Sequence, residues 1–491
     1  MRKKMVEVKK EEKKVSRRDY LKYTGAAIGG LVVGGALGYL AKPAEVIKET
    51  VTAPGATATT TIEKIATKTI TTTAPTETII KTITERVTQT PEYKGKLTIL
   101  GRDGYHQEVD MSIIKAYQAE NPGVQVEYIP LGYSPLYDKI VISMKEKSEA
   151  YDVIMLDDPW APEFMSSGWL ENIEDLAKMY GLNLDLDDFV KPALDVCRYP
   201  YATGTLYAVP WLGNVQMFAY RKDILEQVGA TIPTTWTDVK NIAKKIKEKI
   251  PGIYPIAFRG TKGNPIVTSF LPILYAFGGK VISDDLKSSA INTTESVNAL
   301  KYFISLKTEG LTPPGVETWG TPNVRDGLLN GEVAMAVEVW PGWIMYMDDP
   351  TKSKVPGKIE VMSHPKEVKP GAPMLGVWLY GISKFSKNKE LAVHFLQYST
   401  KFLIQKLATL EKVFPPVRKS VFEDEGVKAR YRWYSAQYEA LKNSVPRPRI
   451  TKWAKVEDAL GTLLQLALVG QTTPEDAIST AHKQINEILT S

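Results

Sequence analysis

The chain is poor in the residues that most often do chemistry. Among 491 residues there is one cysteine, Cys197, and there are four histidines: His106, His364, His394 and His482. A lone cysteine excludes an intrachain disulfide, so the core alone must hold the fold. No base neighbours Cys197, which reads as a buried apolar residue rather than a nucleophile. No two histidines have metal-ligand spacing. GxGxxG, GxxxxGKS/T and GxSxG are all missing, which removes the usual dinucleotide, phosphate-loop and serine-hydrolase signatures. No cofactor and no metal are expected. The pairs Asp157/Asp158, Asp284/Asp285 and Asp348/Asp349 are no ready glycosidase dyad, because neighbours on a strand point to opposite faces. A long-range dyad such as Asp157 with Glu338 stays open. Much of the net charge of +6 sits in the first 22 residues, leaving no global nucleic-acid footprint.

What is present starts with an address. Ser16-Arg17-Arg18-Asp19-Tyr20-Leu21-Lys22 resembles a twin-arginine export signal. The Gly-rich apolar run from Thr24 to Ala41 is at the lower edge of bilayer-spanning length. Residues 1–42 are therefore expected to be a signal or an N-terminal membrane anchor. No cysteine lies near the run, which excludes a lipid-modified one. Residues 43–93 are expected to be a linker: 17 of the 48 residues from Pro43 to Thr90 are threonine, a stalk composition open to O-glycosylation. The alternative for this stretch is a β-prone repeat, since Thr alternates with Ile. The expected location is the cell surface, tethered by the N-terminal segment or released after cleavage. Asn292-Thr293-Thr294 is the only N-glycosylation sequon.

The remainder reads as a globular α/β protein. Lys96 to Leu100, Val124 to Ile129 and Asp152 to Leu156 are strand-like, with helical patterns at 109–120 and 136–145 between them. That order implies a parallel, helix-covered sheet. Thr235 or Thr237 caps a helix whose Trp236 is packing. The positive signal is aromatic. Among 10 tryptophans, Trp160, Trp211, Trp340, Trp343 and Trp378 sit near Pro or Gly in loops. Indole faces stack on the C–H faces of sugars, and a few aimed polar groups complete a saccharide site.

Six segments in order resemble the extracellular solute-binding proteins of ABC importers, in the sugar-binding group that includes maltose- and trehalose-binding proteins. They are YDVIMLDDPWAPEFMSSGWLENI, LYAVPWLGNVQMFAYRKDILEQVG, PTTWTDV, RDGLLNGEVAMAVEVW, MLGVWLYGISKFSKNKELAVHFLQYST and ALVGQTTPEDAISTAHKQINEIL. The resemblance implies a two-lobed, type II periplasmic-binding-protein-like fold with parallel-type sheets flanked by helices. Lobe one is placed at 94–209 plus 358–423 and lobe two at 210–357 plus 424–491, with ligand in the cleft between them. It implies ligand contacts at Asp157 or Asp158, Trp160, Trp211, Asn214, Trp340, Gly376 and Trp378. Tyr105 and Glu108 lie in the first ligand loop, with Arg102, Asp103 and His106. Arg447 and Arg449 in PRPRITKW are weaker candidates. Leu212, Asn214 and Val377 depart from the residues usual there, which alters the hydroxyl contacts expected at those positions.

The expected function is capture of a di- or oligosaccharide and its delivery to the membrane subunits of an ABC importer, with no catalysis and no nucleic acid. The binding domain is expected to be a tethered monomer. The alternatives are the same fold with a peptide or organic anion as ligand and, behind that, an extracellular glycosidase.

Overall fold

In the computed structural model, residues 64–74, 77–87 and 93–491 are described, the first two segments as backbone only. The export-signal and anchor segment lies outside them. The chain divides into a unit ending at Pro91 and a larger one from Glu92 to Ser491. In the first unit, β1 (Lys64–Ala74) and β2 (Glu77–Val87) pair antiparallel from Lys64↔Val87 to Ala74↔Glu77. The threonine-rich stretch thus contains regular structure that the stalk reading did not include. The Thr/Ile alternation suits strands, since β-branched residues fit a pleated backbone.

The second unit contains two larger sheets. In the first, β3 (Lys94–Arg102), β4 (Gly123–Leu131) and β5 (Val153–Asp157) run parallel in the order β4-β3-β5. Helices Tyr105–Glu120 and Tyr133–Lys145 form the crossovers. Every residue of β5 is buried, as expected for a central parallel strand covered on both faces. The short strands β6 (Arg198–Tyr199) and β7 (Thr205–Leu206) pair with each other. β8 (Ala208–Leu212) then closes the first sheet, and β9 (Met217–Arg221) opens the second. The second sheet has the order β10-β11-β9-β12, with β10 (Tyr254–Ala257), β11 (Val333–Val339) and β12 (Ile359–Met362). β13 (Trp378–Ile382) returns to the first sheet and lies antiparallel between β5 and β8. Both sheets are therefore mixed rather than purely parallel. The crossings reverse chain direction at β13 and β9.

The chain passes between sheets at 213–216 and 363–377, and helices Trp453–Leu468 and Pro474–Thr490 pack on the second sheet's side after 443–452. Each passage falls later than the boundaries 209/210, 357/358 and 423/424 expected from sequence. The third differs most. Tyr431 donates to the Leu410 carbonyl at 3.0 Å and Tyr434 to the Phe414 carbonyl at 2.7 Å, which fastens residues 425–442 to the first lobe. The three passages hydrogen-bond one another as a ribbon, through Val215↔Leu375 and Met374↔Val445 bridges.

Candidate functional site

Strand pairing brings three distant segments to one point. Trp378, the first residue of β13, pairs with Asp157 on one side and Leu212 on the other. This is the end of the first sheet, where loops replace strands and ligands collect in open α/β sheets. β5 stops at Asp157, and a 3-10 turn, Asp158–Trp160, follows with Pro159 near its start. Strand alternation therefore does not separate the two aspartates. Both face one guanidinium: Arg447 Nη2 lies 3.2 Å from Asp157 Oδ1 and 2.6 Å from Asp158 Oδ1.

Arg447 comes from the third passage, and Arg449 follows it. Arg449 Nη1 donates to the Asp158 carbonyl at 2.6 Å and sits 3.6 Å from Asp158 Oδ2. Asp157 also accepts from the Tyr133 hydroxyl at 2.8 Å. The four charged side chains lie out of water, where unpaired charge costs several kcal/mol. Burial pushes the Asp158 carboxyl up to about 6, against the pull of Arg447. The Arg447 pKa is raised too, for the opposite reason: burial disfavours its charge, yet Asp157, Asp158 and Glu457 hold it well above the ordinary arginine range. Glu457, on the helix Trp453–Leu468, is raised by burial and opposed by Arg447. It accepts from Asn264 Nδ2 at 3.0 Å.

The aromatic residues form a second layer. The Trp160 ring lies 4.8 Å from Tyr133, 5.3 Å from Tyr137 and 5.9 Å from Trp378, mostly edge to face. A cavity of about 240 Å³ opens between Tyr133, Tyr137 and Trp160 on one wall and Trp453 and Glu457 on the other. The walls belong to different lobes.

The second lobe carries its own buried polar centre. Glu338, on β11 and without solvent exposure, takes Arg259 Nε at 2.8 Å and Arg259 Nη2 at 2.8 Å. Gln216 Nε2 donates to it at 2.7 Å, Trp340 Nε1 at 3.2 Å, and the Ser269 hydroxyl as well. Burial would raise the Glu338 pKa, but Arg259 and these donors leave it below the usual carboxylate range. Asp157 and Glu338, the example of a long-range dyad left open by sequence, are thus each paired with an arginine of their own.

The structure brings Asp157, Asp158, Trp160 and Trp378 together, and it places Trp340 against Gly376. A Cβ built on Gly376 would lie 2.5 Å from Trp340 Cζ3, so only glycine leaves room for the ring. Asn214 is half-buried in the first passage, and its carbonyl accepts from Gly376 N at 3.1 Å. Trp211 stands apart: it is fully buried between Tyr380, Phe414 and His106, with ring centroids at 5.2, 5.1 and 6.2 Å. Its side chain points into the core of lobe one because β8 is buried on both faces. Tyr105 is half-buried and donates to the Lys412 carbonyl at 3.2 Å, while Glu108 is exposed in the first helical turn. Cys197 is buried and donates to the Ala193 carbonyl, as a packing residue would. Sequence reasoning passed over Tyr133, Gln216, Arg259 and Glu457; Gln216 stands inside the segment LYAVPWLGNVQMFAYRKDILEQVG without being singled out, and the other three stand in none of the six segments. Among the described residues no group of His, Cys, Asp or Glu could hold a metal ion, and no helix is long and apolar enough to cross a membrane.

Two mixed α/β lobes joined by three chain passages, with facing aromatic and charged walls, define a two-lobed binding protein of type II architecture. The chain belongs to the bacterial extracellular solute-binding protein family, whose profile matches residues 103–401. A maltose-bound protein of T. maritima is 29% identical, covers 80% of this chain and 99% of its own, and superposes with a TM-score of 0.72. A solute-binding protein of Thermotoga lettingae bound with α-D-tagatose is 28% identical, covers 81% and 100%, and has a TM-score of 0.70. A mannitol-binding protein of Pseudomonas aeruginosa is 26% identical over 75% of this chain and 87% of its own. A probable amino-acid ABC transporter periplasmic-binding protein of Sinorhizobium fredii is 23% identical over 81% and 90%. The chain is a solute-binding protein that works with the membrane components of an ABC importer; it is not an enzyme.

Proposed function

We propose that the ligand is an uncharged polyhydroxylated molecule, a sugar of one to a few rings, captured outside the cell and passed to the importer. The observation that carries this reading is the tryptophan lining: Trp160, Trp378 and Trp340 lie at the sheet ends beside buried hydrogen-bonding groups. Indole faces suit the C–H faces of a sugar ring, and Asp157, Asn214 and Arg447 suit its hydroxyls. The names of three relatives point the same way, since they specify maltose, tagatose and mannitol. Closure follows from differential affinity: ligand touching both walls favours the state in which the walls meet. Residues 1–42 would export the chain and anchor it, and 43–93 would hold a monomeric binding domain away from the membrane.

A second reading is a charged ligand such as an amino acid or organic anion. It is favoured by the arginines of the third passage and by the name of the S. fredii relative. Intrinsic tryptophan fluorescence and calorimetry against maltose, trehalose, mannitol, tagatose and a set of amino acids separate the two. Saturable binding of a sugar or polyol supports the first reading; saturation by amino acids alone overturns it.

A further inference from the structure

Glu338 has more donors than its charge requires. Arg259 alone neutralises it, yet Gln216, Ser269 and Trp340 also donate to the same carboxylate. Two of these partners lead to the chain passages. Gln216 lies in the first passage, and its backbone N–H donates to the Met374 carbonyl of the second at 2.9 Å. The Trp340 ring lies so close to Gly376, in the second passage, that no Cβ would fit. Gly376 in turn donates to the Asn214 carbonyl, two residues before Gln216. The contacts form a closed ring: Gln216, Glu338, Trp340, Gly376, Asn214 and back. Such a ring of packed and hydrogen-bonded groups is the kind of network that transmits a local shift instead of absorbing it.

We propose that Glu338 is a positioning residue that holds the Trp340 indole against Gly376 and, through Gln216, links that ring to the two passages that bend when the lobes close. The role of Trp340 at the ligand rests on the sugar reading above; the positioning does not. Movement of the passages would shift Gln216, release or tighten Glu338, and so move the indole. The ring at the ligand wall and the angle between the lobes would then change together.

The test substitutes Gln216, whose side chain reaches the Trp340 indole through Glu338. Gln216→Leu keeps the volume and removes the side-chain hydrogen bonds to Glu338 and to the Thr268 carbonyl, and Ser269→Ala removes a different donor should the first variant fold poorly. The full chain is labelled with 5-fluorotryptophan, and Trp340→Phe assigns the Trp340 resonance. In ligand-free protein the resonance is expected to shift or broaden in both variants, while the resonance of Trp169, packed on Phe164 in the first lobe, stays put. With maltose and mannitol as probes, affinity should fall about tenfold in each variant, and the loss should vanish in a Trp340→Phe background, the signature of shared action. An unmoved Trp340 resonance in both variants overturns the positioning, whatever the probes do. Failure of every sugar and polyol to bind the wild type overturns the sugar reading, and the ligand-free spectrum still decides on Glu338.

Discussion

Asp110 carries the most unusual single-residue chemistry outside the cleft. It is fully buried in helix Tyr105–Glu120, accepts from the Tyr380 hydroxyl on Oδ1, and has no hydrogen-bond partner on Oδ2 among the described residues. Burial pushes its carboxyl up to about 8, partly offset by Tyr380 and Tyr128. An unfolded aspartate titrates near about 3.9. The folded protein therefore binds this proton more tightly than the unfolded chain does. Stability is greatest below the unfolded value, falls as pH rises through the interval, and is fully reduced above about 8. Melting temperatures should decline between pH 5 and 9 in the wild type. Asp110→Asn, which resembles the neutral acid, should flatten the curve above pH 7 by on the order of a few kcal/mol at its alkaline end. Asp158, raised to about 6 for the same reason, would leave a residual slope below that pH. An unchanged slope between pH 7 and 9 in the variant would show that the carboxyl ionises freely in the native state. The tryptophans divide by the same residue-level logic. Trp340→Ala and Trp378→Ala should each weaken sugar binding by about 1–3 kcal/mol in calorimetry, as central aromatic contacts do. Trp211→Ala should instead cost about 3–5 kcal/mol of stability, measured by denaturant unfolding, because its ring fills the core of lobe one.

At the scale of elements, local chemistry was read most reliably where it is self-contained. Helix Trp236–Lys249 is an example. The Thr235 hydroxyl accepts from Asp238 N and the Asp238 carboxylate accepts from Thr235 N, both at 2.9 Å, a reciprocal capping box. The motif is written in four consecutive residues, so sequence narrowed the cap to Thr235 or Thr237. Thr235→Ala should lower stability by about 1 kcal/mol and leave ligand affinity alone; a change in affinity would mean that the helix start reports on the cleft. The strands and helices of the first lobe were legible for a similar reason, since burial on both faces makes most of β5 an apolar run and puts Leu97, Ile99 and Leu100 in β3. The site was legible only where a residue sits inside a motif. Asp157, Asp158, Trp160 and Trp378 follow from strand ends, and β13 inserting between β5 and β8 is what unites them. Tyr133, Arg259 and Glu457 stand outside the six recognisable segments, and Gln216, inside one of them, has nothing local to mark its partner. Their roles come from long-range pairing, for instance across the 79 positions that separate Arg259 from Glu338, which no local pattern records. Trp211 shows the converse: a tryptophan beside Pro210 looks like a loop-edge residue until a neighbouring strand covers it.

At the scale of the whole molecule, one ion-pair network joins the lobes away from the passages. Arg432 lies between helices Glu425–Arg430 and Tyr434–Lys442, which Tyr431 and Tyr434 fasten to the first lobe. Its guanidinium holds Asp348 in two hydrogen bonds of 2.8 Å each, donates to the Ile359 carbonyl at 2.6 Å, and reaches Glu360. Glu360 and Ile359 are on β12, the edge of the second sheet. Helix Tyr434–Lys442, about 13 Å long at 1.5 Å per residue, separates this contact from the third passage. A contact held off the axis by that lever must stretch or break when the lobes part. The network is about one-third exposed, so screening reduces its worth, and a contribution of about 1 kcal/mol to the closed state is the appropriate scale. Arg432→Ala should therefore raise the sugar Kd roughly fivefold and enlarge the radius of gyration of the liganded protein at subsaturating concentration. Raising the salt from about 0.05 to 1 M should weaken wild-type binding and leave the variant nearly insensitive, because screening and substitution remove the same interaction. If both proteins respond equally to salt, Arg432 fastens two surfaces that never separate, and closure is governed by the ligand-facing walls alone.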